Sequence, residues 1–296
     1  RDLHSFPTRR SSDLSLIQYI AMYLLYFQNA SIIVFPEYGL TGFGYNRDSF
    51  RPFCEDIPDP KEKRQWNACL EPEANRAYPI MHRLSCLARN NKIYIVANMG
   101  DIKTCTKDAD PYCPTDGRYQ YNTNIAFDDT GVLIARYHKQ HLFFNEEKFV
   151  NRPRIPEFVT FNTPFGKFGT FICFDVLFHD PAVPLVTQYK IDHVAFPTAW
   201  FDKLPFFTAI GFHGSWARGM GVNFLSANTH VPAFRSGGSG LFSPKGVKAY
   251  FRDVSSENGT LLVASLPRNP KEHAQVSVTH NGHSSIKKRA PKSLAS

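Results

Sequence analysis

An α/β fold rich in sheet is what this chain predicts, and three observations carry the expectation. Short apolar runs alternate with helical stretches through the middle of the sequence. Hydrophobic residues make up 43% of 296 positions, enough for a large core. The 26 Phe and 13 Tyr suit pleated, half-buried surfaces and a sandwich of sheets. One large domain, over residues 15–270, accommodates all of it.

Taken in order, apolar or alternating runs predict strands at 31–35, 92–97, 122–128, 131–137, 168–173, 191–196, 222–227, 239–242, 247–251 and 261–265. Helical periodicity predicts helices at about 73–90, 181–189 and 206–220, and Gly131 marks a tight hairpin between two strands. The ends read differently. Residues 1–14 look like an adapter-derived, non-native segment, and the apolar run 14–27 is short for a membrane span. Residues 15–30 are too few for a strand and a helix ahead of 31–35, so the domain's amino-terminal element reads as incomplete. The polar stretch 271–296 reads as a disordered tail.

The net charge of +8 raises the question of nucleic acid, but its distribution argues against that partner. Residues 271–296 alone hold four Lys and one Arg against one Glu, and the body has no Lys/Arg stripe interleaved with aromatics. Gly237-Gly238-Ser239-Gly240 lacks the spacing of a dinucleotide fingerprint, and Ser239 is not in a nucleophile elbow. The eleven His are scattered without a ligand motif, so neither metal nor cofactor is expected.

Chemistry concentrates at three strand ends. Phe171-Ile172-Cys173-Phe174-Asp175 delivers a thiol where an apolar strand meets polar residues. Phe35-Pro36-Glu37 ends another strand with a carboxylate, and Tyr137-His138-Lys139 ends a third with an ammonium. Each residue has a bland reading alone, as a packed small hydrophobe or a solvated charge. Together they suit covalent hydrolysis of a carbon–nitrogen bond. A free thiol, with a pKa near ~8.5, is mostly protonated at neutral pH and needs activation. Glu37 can take its proton and return it to the leaving amine. Lys139 can lower the thiol pKa and, with the backbone N–H of Phe174, stabilise an oxyanion.

These motifs, with Glu55-Asp56-Ile57-Pro58-Asp59-Pro60, Asp116-Gly117-Arg118-Tyr119-Gln120-Tyr121-Asn122, Phe178-His179-Asp180-Pro181-Ala182 and Phe196-Pro197-Thr198-Ala199-Trp200, give the chain a specific resemblance over about residues 29–266. It resembles the nitrilase, or carbon–nitrogen hydrolase, superfamily, and within it the vanin and biotinidase branch. Phe212-His213 followed by Ser215-Trp216-Ala217 is similar to the vanins, whereas Trp66-Asn67 and Cys69-Leu70-Glu71-Pro72 are similar to biotinidase. The resemblance implies a nitrilase-like α-β-β-α sandwich and a Glu37–Lys139–Cys173 trio, without a cofactor. Glu146 matches a supporting acidic position in the vanins. Tyr121, Thr198 and Trp200 are the expected substrate-binding residues, with core packing as the rival reading for Trp200.

The implied substrate is a small-molecule amide, pantetheine first and a biotinyl amide second, with an inactive interaction module as the third reading. The implied setting is extracellular or at the cell surface, where a carboxy-terminal region absent from this chain would provide any membrane anchor. Cys105 and Cys113 bracket a short loop and are expected to form a disulfide, and Asn258 is the better of two glycosylation sequons, ahead of Asn29. Cys86 reads as buried and inert, and Cys54 and Cys69 have no evident partner.

Overall fold

A computed structural model describes residues 30–273 apart from 204, 206 and 257. The segment 1–14, the apolar run 14–27, the sequon at Asn29 and the tail beyond 273 lie outside the described residues. Among the described residues, eleven strands form two sheets. The first sheet runs β1 (Ile32–Val34), β3 (Tyr94–Thr104), β4 (Arg118–Phe127) and β5 (Leu133–His138), with β2 (Cys54–Glu55) also paired to β3. The second has the order β11 (Gly246–Phe251), β10 (Ser239–Ser243), β9 (Asn223–Asn228), β8 (His193–Thr198), β7 (Gly166–Thr170), β6 (Thr160–Thr163). β1 and β2 join β3 in parallel, as β8 joins β7 and β9; the remaining pairs are antiparallel.

Side-chain alternation sorts the layers. In the second sheet Val194, Phe196 and Phe224 point outward, Phe196 and Phe224 against His213 and Trp216 of α5 (Ala209–Met220), and α4 (Ala182–Thr187) joins the same cluster; Val96, Ala126, Ala135 and Tyr137 point from the first sheet toward the inner face of the second, which carries Phe168, Thr170 and Ala195. Their neighbours Ile95, Ala97, Ile125 and Phe127 point the other way, against Met81, Leu84 and Ala88 of α3 (Pro79–Asn91). The result is helix, sheet, sheet, helix, the sandwich expected from the sequence.

Several boundaries differ from the sequence reading. The helix expected at 73–90 is two, α2 (Ala74–Ala77) and α3, because Tyr78 leaves helical geometry ahead of Pro79. Glu55 then caps α3, its carboxylate accepting from the N–H groups of Ile80 and Met81 at 2.5 and 3.0 Å. β2 and β6 were not expected, being only two and four residues long, and α1 (Arg47–Phe50) is a single turn capped by Asn46. No strand forms at 261–265; those residues run without regular pairing. The expected disordered stretch begins with an ordered turn, Pro270–His273, where Lys271 reaches Asp192 at 3.2 Å. Gly131 does mark the β4–β5 turn, at φ 87°, and a Cβ there would meet the Ser85 carbonyl at 2.6 Å.

Cysteine pairing also departs from expectation. Cys105–Cys113 forms as expected, but Cys86 is bonded to Cys69 rather than buried as a free thiol. Only folding brings α3 beside the 66–70 loop. Chain-entropy reasoning assigns about 3 kcal/mol to the 17-residue closure and about 2.5 kcal/mol to the eight-residue one. Paired Cys→Ser variants should therefore lower the denaturation midpoint, Cys69/Cys86 slightly more than Cys105/Cys113. An unchanged midpoint would show that the unfolded chain gains nothing from opening the loops.

Candidate active site

Glu37, Lys139 and Cys173 converge although 102 and 34 positions separate them along the chain. Glu37 follows β1 in a tight turn, where Tyr38 takes a φ of 56° and donates its N–H to Asn98 Oδ1 at 2.9 Å. One Glu37 oxygen accepts from Lys139 Nζ at 2.7 Å and Asn122 Nδ2 at 2.8 Å, and the other from the Ala199 N–H at 2.8 Å. Lys139 extends the β4–β5 ladder, its N–H on the Asn122 carbonyl at 2.9 Å. Its ammonium also bonds Glu146 at 2.6 Å, and both Lys139 and Glu37 are 1% exposed. Glu146 further accepts from the Phe143 N–H at 2.6 Å, from Asn122 Nδ2 at 3.0 Å and from the Tyr38 hydroxyl. Two buried carboxylates thus share one ammonium.

Cys173 is not at the end of a strand. β7 stops at Thr170, and Cys173 opens a 3-10 turn, Cys173–Leu177, with a φ of 44°. A non-glycine residue there costs ~1–2 kcal/mol, a strain typical of functional turns. The Phe174 N–H lies in the first turn of this helix, where amides have no intrahelical acceptor.

Electrostatics alter one expectation. The Cys173 thiol is pushed up, by burial first and the Glu37 charge second, and the pull of Lys139, Thr198 and the Ala199 N–H does not offset them. Lys139 therefore does not produce a resting thiolate, because its charge is already matched. Burial would lower Lys139, but Glu146 and Glu37 hold it well above its ordinary value. Burial raises Glu37 against the opposing effect of Lys139, whereas for Glu146 the charge and hydrogen bond of Lys139 overcome burial and hold the carboxyl low. The arrangement provides a permanent ion pair, Lys139–Glu146, beside a carboxylate of raised proton affinity and a neutral thiol. That is suited to passing the thiol proton during attack rather than beforehand.

The other sequence-predicted positions divide. Thr198 is fully buried and faces the sulfur, its hydroxyl without a partner in full hydrogen-bond geometry. Tyr121 does not join the site. Asn122 points to Glu37, so Tyr121 projects from the opposite face, its ring 4.3 Å from that of His138. Trp200 belongs to the core: it is 4% exposed, stacks on Phe212 at 5.3 Å and donates its indole N–H to Phe207. Asn258 is exposed beside Ser256. Sequence reasoning missed the buried asparagines, although Asn122 and Asn124 recur at the period of a strand face. Asn98 Nδ2 bonds both Asn122 and Asn124, at 2.7 and 3.1 Å, and Asn124 Nδ2 bonds Thr170 of the second sheet at 2.8 Å. This ladder fixes the Glu37 sheet against the one leading to Cys173.

The chain is similar to known enzymes over most of its length. Mouse pantetheinase is 53% identical over 243 residues, 82% of this chain and 47% of that protein. Human pantetheinase is 51% identical over 252 residues, 85% and 48% of the two chains, and mouse biotinidase 43% over 246 residues, 82% and 46%. The chain spans about half the length of these curated relatives. A Saccharomyces cerevisiae member of branch 10 of the nitrilase superfamily superposes with a TM-score of 0.63 at 23% identity, covering 91% of this chain and 90% of the other. An amidase from Nesterenkonia sp. AN1, carrying acrylamide added at its active-site cysteine, gives 0.59 at 20% identity, covering 88% and 89%. Both share the fold. The carbon-nitrogen hydrolase profile matches residues 11–202, a span that includes Glu37, Lys139 and Cys173, and this chain belongs to the carbon-nitrogen hydrolase family.

Proposed function

We propose that this chain hydrolyses a linear amide through a thioester at Cys173, with pantetheine as the substrate and pantothenate and cysteamine as the products. The observation that carries the reading is the buried ammonium of Lys139, held by Glu37 and Glu146 at 2.7 and 2.6 Å beside the strained Cys173 turn. The Cys173 sulfur attacks the amide carbon while Glu37 takes the thiol proton. Lys139 and the Phe174 N–H receive the developing oxyanion. Glu37 returns the proton to the nitrogen as the carbon–nitrogen bond breaks, and the amine departs. Glu37 then deprotonates water for attack on the thioester, and the proton passes back to sulfur as the acid leaves. No net proton is gained or lost by the site.

Pantetheine is placed before a biotinyl amide because the pantetheinases are the more similar relatives, at 53% and 51% against 43% identity. An extracellular or cell-surface setting is supported by the two disulfides and the exposed Asn258. Side-by-side assay of pantetheine and biocytin should give the higher kcat/KM for pantetheine. A preference for biocytin would move the chain to the second substrate, and turnover of neither by folded protein would favour an interaction module.

A further inference from the structure

We infer that Asp175 is a positioning residue, tying the strained nucleophile turn to the segment that carries Lys139; this rests on the reading of Cys173 as the nucleophile. Asp175 is fully buried. One carboxylate oxygen accepts from the Ile172 N–H at 3.0 Å, immediately before Cys173, and from the Tyr137 hydroxyl at 2.7 Å. The other accepts from the His141 N–H at 2.8 Å. Tyr137 and His141 stand two residues to either side of Lys139. A single side chain therefore holds both partners of the proposed oxyanion step, and it does so from a position without contact to Glu37, Glu146 or their ammonium in the hydrogen-bond network.

Two physical points make this more than packing. The left-handed backbone at Cys173 relaxes unless its neighbours over-determine it, and the bond to the Ile172 N–H acts on the peptide entering that turn. A buried carboxylate is also a costly way to fill space, since an apolar residue of similar volume would avoid its desolvation. What the carboxylate adds is a divergent set of acceptors. Three donors from two segments meet on it, and the Tyr137 hydroxyl in turn accepts from the Gln140 N–H at 3.3 Å, closing the 137–141 segment on itself.

Asp175→Asn keeps the volume but offers only one acceptor oxygen, and Tyr137→Phe removes one donor and leaves the carboxylate. In Asp175→Asn, kcat for pantetheine should fall about 10–100-fold with KM within about threefold, because a misplacement of about 1 Å carries that scale of cost. Alkylation of Cys173 by iodoacetamide, separated from Cys54 by peptide mapping, should slow in parallel in protein that still unfolds cooperatively, its melting temperature lowered by the lost acceptor. Tyr137→Phe should slow both about 3–10-fold. Alkylation reads sulfur placement without an amide substrate. Slowed alkylation in a chain inactive on pantetheine would leave the positioning role standing while the substrate reading fell. Wild-type alkylation and turnover in either folded variant would overturn the inference, and Tyr137→Phe decides it if Asp175→Asn does not fold.

Discussion

Cys173→Ala should abolish amide hydrolysis, with a loss of about 10⁶-fold and little change in stability. No other group can replace the sulfur. Cys54, the second free thiol, is part of β2, and burial pushes its pKa up to about 12. The substitution removes one buried atom, and alanine keeps the same backbone strain at φ 44°, so the melting temperature should stay within a few degrees. Steady-state turnover of pantetheine alongside thermal unfolding checks both halves. Residual activity above a few per cent would rule out a thioester at this position.

Lys139→Met should lower turnover by about 10²–10³-fold or more, and unlike Cys173→Ala it should also destabilise the fold. Methionine fits the volume but leaves Glu37 and Glu146, 1% and 7% exposed, without their cation. Breaking a buried pair from one side costs about 3–5 kcal/mol. The sign of the pH dependence follows. Without the ammonium, burial and mutual repulsion raise both folded-state carboxyl pKa values above those of the unfolded chain, so the folded form binds protons more tightly. The stability of the variant should then be fullest below the ordinary carboxylate range and be lost as pH rises through the elevated values. Melting temperatures taken from pH 8 down to pH 5 should climb toward wild type. A flat profile would mean that the site opens to water when the lysine is removed.

The candidate trio was legible because its signals are local. Each of Glu37, Lys139 and Cys173 follows an apolar run, and residue type with position at a run's end needs no knowledge of the rest of the chain. The strands and helices were legible for the same reason, through period-2 and period-3.6 patterning, and the family resemblance implied how they layer. Tyr121 shows where that reasoning stops. β4 is buried on both faces along much of its length, so polarity does not reveal which face carries the site, and a shift of one residue moves a side chain from Glu37 to His138. Trp200 shows it again: its neighbour Ala199 donates to Glu37 while the indole packs inward against α5. The Cys69–Cys86 bond arises only because α3 lies against the 66–70 loop.

What the sequence by itself determined was the α/β class, the identity and order of the three candidate reactive groups, and the short Cys105–Cys113 loop, all consequences of neighbours along the chain. What only the tertiary structure decided was the state of those groups. Glu146 rather than the thiol balances Lys139, burial keeps Cys173 protonated, and Asn98, Asn122, Asn124 and Asp175 hold the three turns together. The physical reason is that charge, burial and strain depend on what surrounds a residue in space, and here those surroundings come from segments up to 162 positions apart.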